Sequence, residues 1–206
     1  MAKTVYLTTP LKKEDIEALE IDDVVYISGD LYTMMYADHF TRIMDMIDAG
    51  EKPPMELEGA AIYNTGTIFR RMEDGTYDFR AIGTTTSSKF NPYTPDFIRK
   101  TGVRAVLGKG GMDKNTLDAM RECGCVYLAL VGGCSAIYTC KVDRLEREYW
   151  PETCRSWADT LLKLNVTNYG PMFVSMDALG NSIYESIGDR AEENRGEIYK
   201  KLGIKG

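Results

Sequence analysis

The chain alternates short apolar runs with segments whose apolar residues recur at helical spacing, and the turns between them are rich in glycine or hydroxyl groups. Val24-Val25-Tyr26-Ile27 reads as a buried strand closed by Ser28-Gly29-Asp30. Met35, His39, Ile43, Met46 and Ile47 then share one face of a helix over 33–49 that stops at Gly50. Val103, Ala105, Val106 and Leu107 form another apolar run, followed by a helix over 116–123 with Leu117, Met120 and Cys123 on one face. A third run, 125–131, ends in Gly132-Gly133. Strands interleaved with helices in this way predict an α/β fold.

Two features argue against a doubly wound parallel sheet. Met72-Glu73-Asp74-Gly75 reads as a hairpin turn between strands over 67–70 and 76–82, and further strands over 141–150, 162–166 and 172–176 crowd together late in the chain. A layered β/β/α arrangement accommodates both. The remaining expected elements are strands over 3–7 and 60–63, a short acidic helix over 12–19, a helix over 94–101, a turn over 177–181 and a terminal helix over 183–202. With 206 residues the chain can bury one sizeable core, so one domain over 1–206 with an appended terminal helix is expected.

The net charge of −6 comes with no cluster of Lys or Arg able to track a phosphate backbone, which argues against nucleic acid as a partner. No stretch approaches the roughly 18 apolar residues of a membrane span, and the start Met-Ala-Lys-Thr-Val-Tyr-Leu has too short an apolar run for an export signal. A cytoplasmic protein is the expectation. Its five cysteines (Cys123, Cys125, Cys134, Cys140, Cys154) match neither paired zinc ligation nor a ferredoxin-type run, so they are expected to be buried thiols, with no metal held by this chain.

Two loops carry the polar chemistry. Thr84-Thr85-Thr86-Ser87-Ser88-Lys89 places five consecutive hydroxyls and one ammonium between a strand and a helix, a composition suited to a carboxylate or phosphate. Just beyond it, Thr94 reads as a helix N-cap with Pro95 in the first helical position. Gly108-Lys109-Gly110-Gly111 repeats the arrangement: glycines such as Gly110 let the backbone approach a ligand, and Lys109 supplies charge. Its spacing is not that of a Walker loop. The lone histidine, His39, lies in the Met-rich stripe of its helix and reads as structural.

Taken together these residues resemble the β subunit, or C-terminal domain, of class I iron–sulfur hydro-lyases, the fumarate hydratases and L(+)-tartrate dehydratases. The likeness runs through Thr9-Pro10-Leu11, Glu14-Asp15-Ile16, Ser28-Gly29, the hydroxyl loop to Pro95, residues Gly108 to Met112, Val126-Tyr127-Leu128 with Gly132-Gly133, and Asp177 with Gly180-Asn181-Ser182. The resemblance implies a swivelling β/β/α domain that closes over a small hydroxy-dicarboxylate against a partner α subunit carrying a [4Fe–4S] cluster, within a hetero-oligomer. It also implies a proton-abstracting role for Thr85, charge stabilisation by Lys109, and substrate binding by Thr86, Lys89 and Gly110.

The chain departs from the family pattern in three places. The loop Arg is Lys89, which cannot grip a carboxylate bidentately. In the family's Tyr-Thr-x-Arg-Asp-x-Ala-His, the Arg becomes Met35, within Tyr32-Thr33-Met34-Met35-Tyr36-Ala37-Asp38-His39. The segment before Trp157 reads Trp150-Pro151-Glu152-Thr153-Cys154 instead of Gly-Met-Pro-Glu-Ala. Arg70 and Arg71 are candidates to replace the lost charge. Three functions follow: a fumarase or tartrate dehydratase type subunit, the same chemistry on a different hydroxy acid, or a non-catalytic anion-binding relative.

Overall fold

The computed structural model describes residues 2–153 and 160–204. Its first strands are β1 (Thr4–Thr8), β2 (Val24–Thr33), β3 (Ala61–Tyr63), β6 (Ala105–Gly108) and β7 (Val126–Ala129), side by side and mutually parallel. Between β3 and β6 the chain makes an antiparallel hairpin, β4 (Thr65–Arg71) and β5 (Tyr77–Thr84). Late in the chain β8 (Val142–Tyr149) and β9 (Leu161–Met176) pair antiparallel, and β9 also pairs with both β7 and β2. The strands β2, β3, β6, β7 and β9 therefore close into a ring.

Strand pleating sends alternate residues to opposite faces, and the parallel strands use both. Ala61, Tyr63, Ala105, Leu107, Val126 and Leu128 join Leu164, Val166 and Val174 of β9, with Ile82 of the hairpin, in one core. Tyr32, Ile62, Val106 and Tyr127 point the other way, onto Phe40 and Ile43 of α2 (Ala37–Asp48), Phe97 and Ile98 of α3 (Thr94–Thr101), and Leu117 and Met120 of α4 (Lys114–Cys123). A short α1 (Lys13–Glu17) buries Ile16 in the first core. The result is a compact α/β domain. Outside both cores runs α5 (Ile183–Leu202), none of whose residues is buried. Among the described residues no helix is long and apolar enough to cross a membrane.

Several expected boundaries move, each for a local reason. β2 does not end at Ser28-Gly29-Asp30. Gly29 takes a φ of 97° at a shift of register against β9, and the Asp30 N–H donates to Thr9 Oγ1 at 2.6 Å, so the strand bulges and continues. The expected helix from residue 33 starts only at Ala37, because Thr33 belongs to β2 and its Oγ1 accepts from the Leu162 N–H at 2.9 Å. The two strands expected over 162–166 and 172–176 are one, with positive φ at Asn168 and Gly170 absorbing a bend. Thr94 is not a cap: it is already helical, its hydroxyl donates back to the Phe90 carbonyl at 2.9 Å, and Tyr93 occupies the cap position. Of the described cysteines only Cys125 is buried; Cys123 and Cys134 are half-buried and Cys140 is exposed, while Cys154 lies outside the described residues.

Candidate active site

Because β2, β3, β6 and β7 are parallel, the residues that follow their carboxyl ends share one edge of the sheet, where open α/β sheets place their ligands. Met34 and Met35 leave β2, Asn64 leaves β3, Lys109 leaves β6, and Leu130 to Gly133 leave β7. The hydroxyl loop arrives at the same edge from β5.

The two loops expected to act together are joined by main-chain hydrogen bonds. Thr86 and Lys109 form a parallel bridge: the Ser87 N–H donates to the Lys109 carbonyl at 3.0 Å and the Lys109 N–H to the Thr85 carbonyl at 3.3 Å. The Thr85 N–H donates to the Asn64 carbonyl at 2.8 Å, and the Asn64 N–H to the Leu107 carbonyl at 2.8 Å. The Asn64 side chain, wholly buried, donates to the Met34 carbonyl at 3.3 Å and leaves Oδ1 buried without a partner among the described residues. The third turn approaches as well, since a methyl built on Gly132 would lie 3.6 Å from Lys109 Cδ.

On this braced backbone the functional groups themselves are uncommitted. Among the described residues Thr85 Oγ1, Thr86 Oγ1 and Lys109 Nζ make no hydrogen bond or ion pair, and all three residues are half-exposed. Two hydroxyls and an ammonium thus stand unpaired on a fixed backbone, and all three are groups able to donate to an anion. Thr85, Thr86, Lys109 and Gly110 are brought together, with Thr86 Cγ2 3.4 Å from a methyl built on Gly110. Lys89 lies three residues past Thr86 on the exposed side of a 3-10 turn, Ser87–Phe90, which places it at the rim.

Arg70 and Arg71 do not reach this edge. In the hairpin register Thr65 faces Thr84 at the site end while Arg71 faces Tyr77 at the other, roughly 20 Å away at strand rise. Arg71 is instead paired with Glu148 of β8. His39 is buried and its Nδ1 accepts from the Met35 N–H at 3.4 Å, so it fixes the entry to α2. A separate cavity of about 640 Å³, lined by Tyr36, His39, Arg42, Tyr149 and Trp150 among others, includes none of the loop residues.

Two supporting residues, Tyr63 and Asn64, read in the sequence as an ordinary strand end and the residue after it, while Ser87 enters only as one hydroxyl of the loop and Tyr127 only through the family likeness. The Asp177 turn also serves the site indirectly. Its buried carboxylate accepts from the N–H groups of Leu179 (3.0 Å) and Asn181 (2.8 Å), Ser182 caps α5, and the Tyr184 ring comes to rest against Gly111. Among the described residues no group of three or more His, Cys, Asp or Glu side chains could hold a metal ion.

Residues 1–187 match the family model described as the fumarase C-terminus. The chain belongs to that family, as a class I hydro-lyase β subunit. It is 35% identical over 193 residues to a Methanocaldococcus jannaschii protein described as a candidate L(+)-tartrate dehydratase subunit β, covering 94% of this chain and 97% of that one. It is 30% identical over 197 residues to the L(+)-tartrate dehydratase subunit β of Escherichia coli K12, covering 95% and 94%. A Geobacillus stearothermophilus protein described as a candidate class I fumarate hydratase is 35% identical over 185 residues, which are 90% of this chain but 34% of that protein.

The glycine turn yields a graded prediction. Gly110 and Gly111 have φ of 82° and 70°, so an alanine at either is strained, by about 1–2 kcal/mol. At Gly111 the methyl would also overlap the Tyr184 ring. Gly111→Ala should therefore destabilise the protein in urea by about 1–3 kcal/mol more than Gly110→Ala. Equal losses would mean that Tyr184 does not brace the turn.

Proposed function

We propose that this chain is the substrate-closing half of a hydro-lyase that adds or removes water on a small hydroxy-dicarboxylate, with Thr85, Thr86, Lys109 and Gly110 at the reacting edge and Lys89 at its rim. The observation that carries the reading is the Thr86–Lys109 bridge, which sets uncommitted hydroxyls beside an uncommitted ammonium at the carboxyl ends of the strands. The names of its relatives, tartrate dehydratase subunits and a fumarate hydratase, support the substrate class.

In dehydration one carbon next to a carboxylate loses a proton and its neighbour loses the hydroxyl. Lys109 and Thr86 hold the carboxylate. Thr85 Oγ1, ionised to the alkoxide beside the Lys109 ammonium, takes the proton and becomes a neutral hydroxyl, and the same ammonium stabilises the negative charge that builds up on the carboxylate as the proton leaves. An α subunit would complete the site and hold the implied [4Fe–4S] cluster, which would supply the Lewis acid for the departing hydroxide. The two cores on either face of the parallel strands support the finer architectural reading: one β/β/α domain over 1–206 that swivels to close on its partner. Absence of a basic tract fits a cytoplasmic enzyme that binds small acids and no nucleic acid.

A second substrate reading has its own observation. The site-edge position where the family pattern has Arg is Met35, half-buried, and neither Arg70 nor Arg71 is close enough to compensate. A hydroxy acid with one fewer or differently placed carboxylate fits that loss, because an unpaired, desolvated carboxylate is costly.

Two variants test these readings in the complex assembled with the partner. Lys109→Ala should lower kcat about 10²-fold, the usual cost of one stabilising group, without loss of folding, since Nζ supports nothing else among the described residues. Unchanged turnover would sink the assignment. Met35→Arg, once shown to fold and assemble, should raise kcat/KM for L(+)-tartrate or L-malate relative to monocarboxylic hydroxy acids, about tenfold for a charge-assisted contact of about 1.5 kcal/mol. No change in preference would show that this position does not read a carboxylate.

A further inference from the structure

Two buried tyrosines hold the hydroxyl loop, and the chemistry above uses neither. Tyr63, the last residue of β3, is wholly buried in the core shared with β9, and its hydroxyl is hydrogen-bonded to Thr84 Oγ1. Tyr127, in β7, is wholly buried in the core shared with the helices, and its hydroxyl donates to Ser87 Oγ at 2.9 Å. Thr84 and Ser87 are the residues immediately before and after the pair Thr85-Thr86. The loop is thus gripped at both ends, from opposite faces of the same sheet.

The surroundings are shaped for these two bonds. A methyl on Gly108 would overlap Ser87 Oγ and come within 2.8 Å of the Tyr127 hydroxyl, so the last residue of β6 leaves room for that bond. Ser87 is itself fully buried, with no water to replace a lost partner. Burial raises the pKa of both phenols above the ordinary tyrosine value, which keeps them neutral; Tyr127 then acts as a donor, and Tyr63 shares one proton-bearing contact with Thr84. Main-chain bonds at Thr85, Ser87 and Lys109 fix the backbone path of the loop, and the side-chain anchors at Thr84 and Ser87 tie its two ends to the sheet.

We propose that Tyr63 and Tyr127 are positioning residues that clamp Thr85-Thr86 between them in the geometry needed for proton abstraction. The proposal rests on the reading that Thr85 and Thr86 are the working pair. It differs from a packing role in one respect: phenylalanine preserves the packing and removes the hydroxyls that make the clamp.

The test uses Tyr63→Phe, Tyr127→Phe and the double variant. In the full-length chain, ¹⁵N relaxation should show the backbone order parameters of Thr85 and Thr86 falling from about 0.85 to below about 0.6 in the double variant, while Ile62 and Val106 stay rigid. In the complex with its partner subunit, assayed with L(+)-tartrate and with fumarate, each single variant should lower kcat about tenfold with KM within about twofold, as misplacement of a reacting group does. Ser87→Ala added to Tyr127→Phe should cost nothing further, because both remove one bond. If a tyrosine variant does not fold, Thr84→Val and Ser87→Ala break the same bonds from the loop side and should give the same result. Order parameters unchanged in Thr85 and Thr86 would overturn the clamp, as would kcat within twofold of the parent. A Thr85→Val complex with full turnover would instead overturn the reading of the working pair, which keeps the two failures apart.

Discussion

The site depends on the hydrogen bonds that gather at Asn64. Its N–H is held by Leu107 of β6, its carbonyl holds the Thr85 N–H, and its side chain holds the Met34 carbonyl as the chain leaves β2. One residue at the end of a three-residue strand therefore fixes the exits of two neighbouring strands and the start of the hydroxyl loop relative to one another. Each such bond contributes only about 1 kcal/mol net, but losing one here would leave a buried polar group bare, which costs about 1–3 kcal/mol. The register of the loops is specified by that penalty more than by attraction. Once the register is set, the Thr86–Lys109 bridge follows, and residues that lie more than twenty positions apart in sequence share one edge.

The division of labour at this edge is chemical. Backbone groups are committed to one another, and the side chains that can act are not. Such an arrangement holds donors ready without reorganisation when charge develops. The glycines serve the same end, since Gly110 and Gly111 need positive φ and the absence of a side chain at Gly108 leaves room for the Ser87–Tyr127 pair. The terminal turn at Asp177 extends the support by setting Tyr184 against Gly111.

Much of this was legible in the sequence, because glycine and hydroxyl residues between apolar runs mark strand-to-helix turns whatever the tertiary fold. Thr85, Thr86, Lys109 and Gly110 lie along one edge for that reason. What failed was closing a strand at Gly29 and dividing the last strand into pieces over 162–166 and 172–176. Gly29 and Gly170 sit in bulges where β2 and β9 pair, and pairing is a long-range fact that local composition does not encode. Arg70 and Arg71 likewise looked like replacements for a lost charge until hairpin register put them at the far end and Glu148 paired with one of them. The roles of Asn64, Tyr63 and Tyr127 are not legible in the sequence, because their polar atoms matter only through partners distant along the chain.

On the function proposed above, these loops complete a reaction site that an α-type partner does not form alone. This is tested most directly by preparing the α-type partner anaerobically, with and without this chain, and measuring water loss from L(+)-tartrate and water addition to fumarate. Turnover of at least one of these acids is expected from the complex and none from the partner alone. A partner that is equally active by itself, or a correctly assembled complex inactive on both acids and on other hydroxy acids, would contradict it.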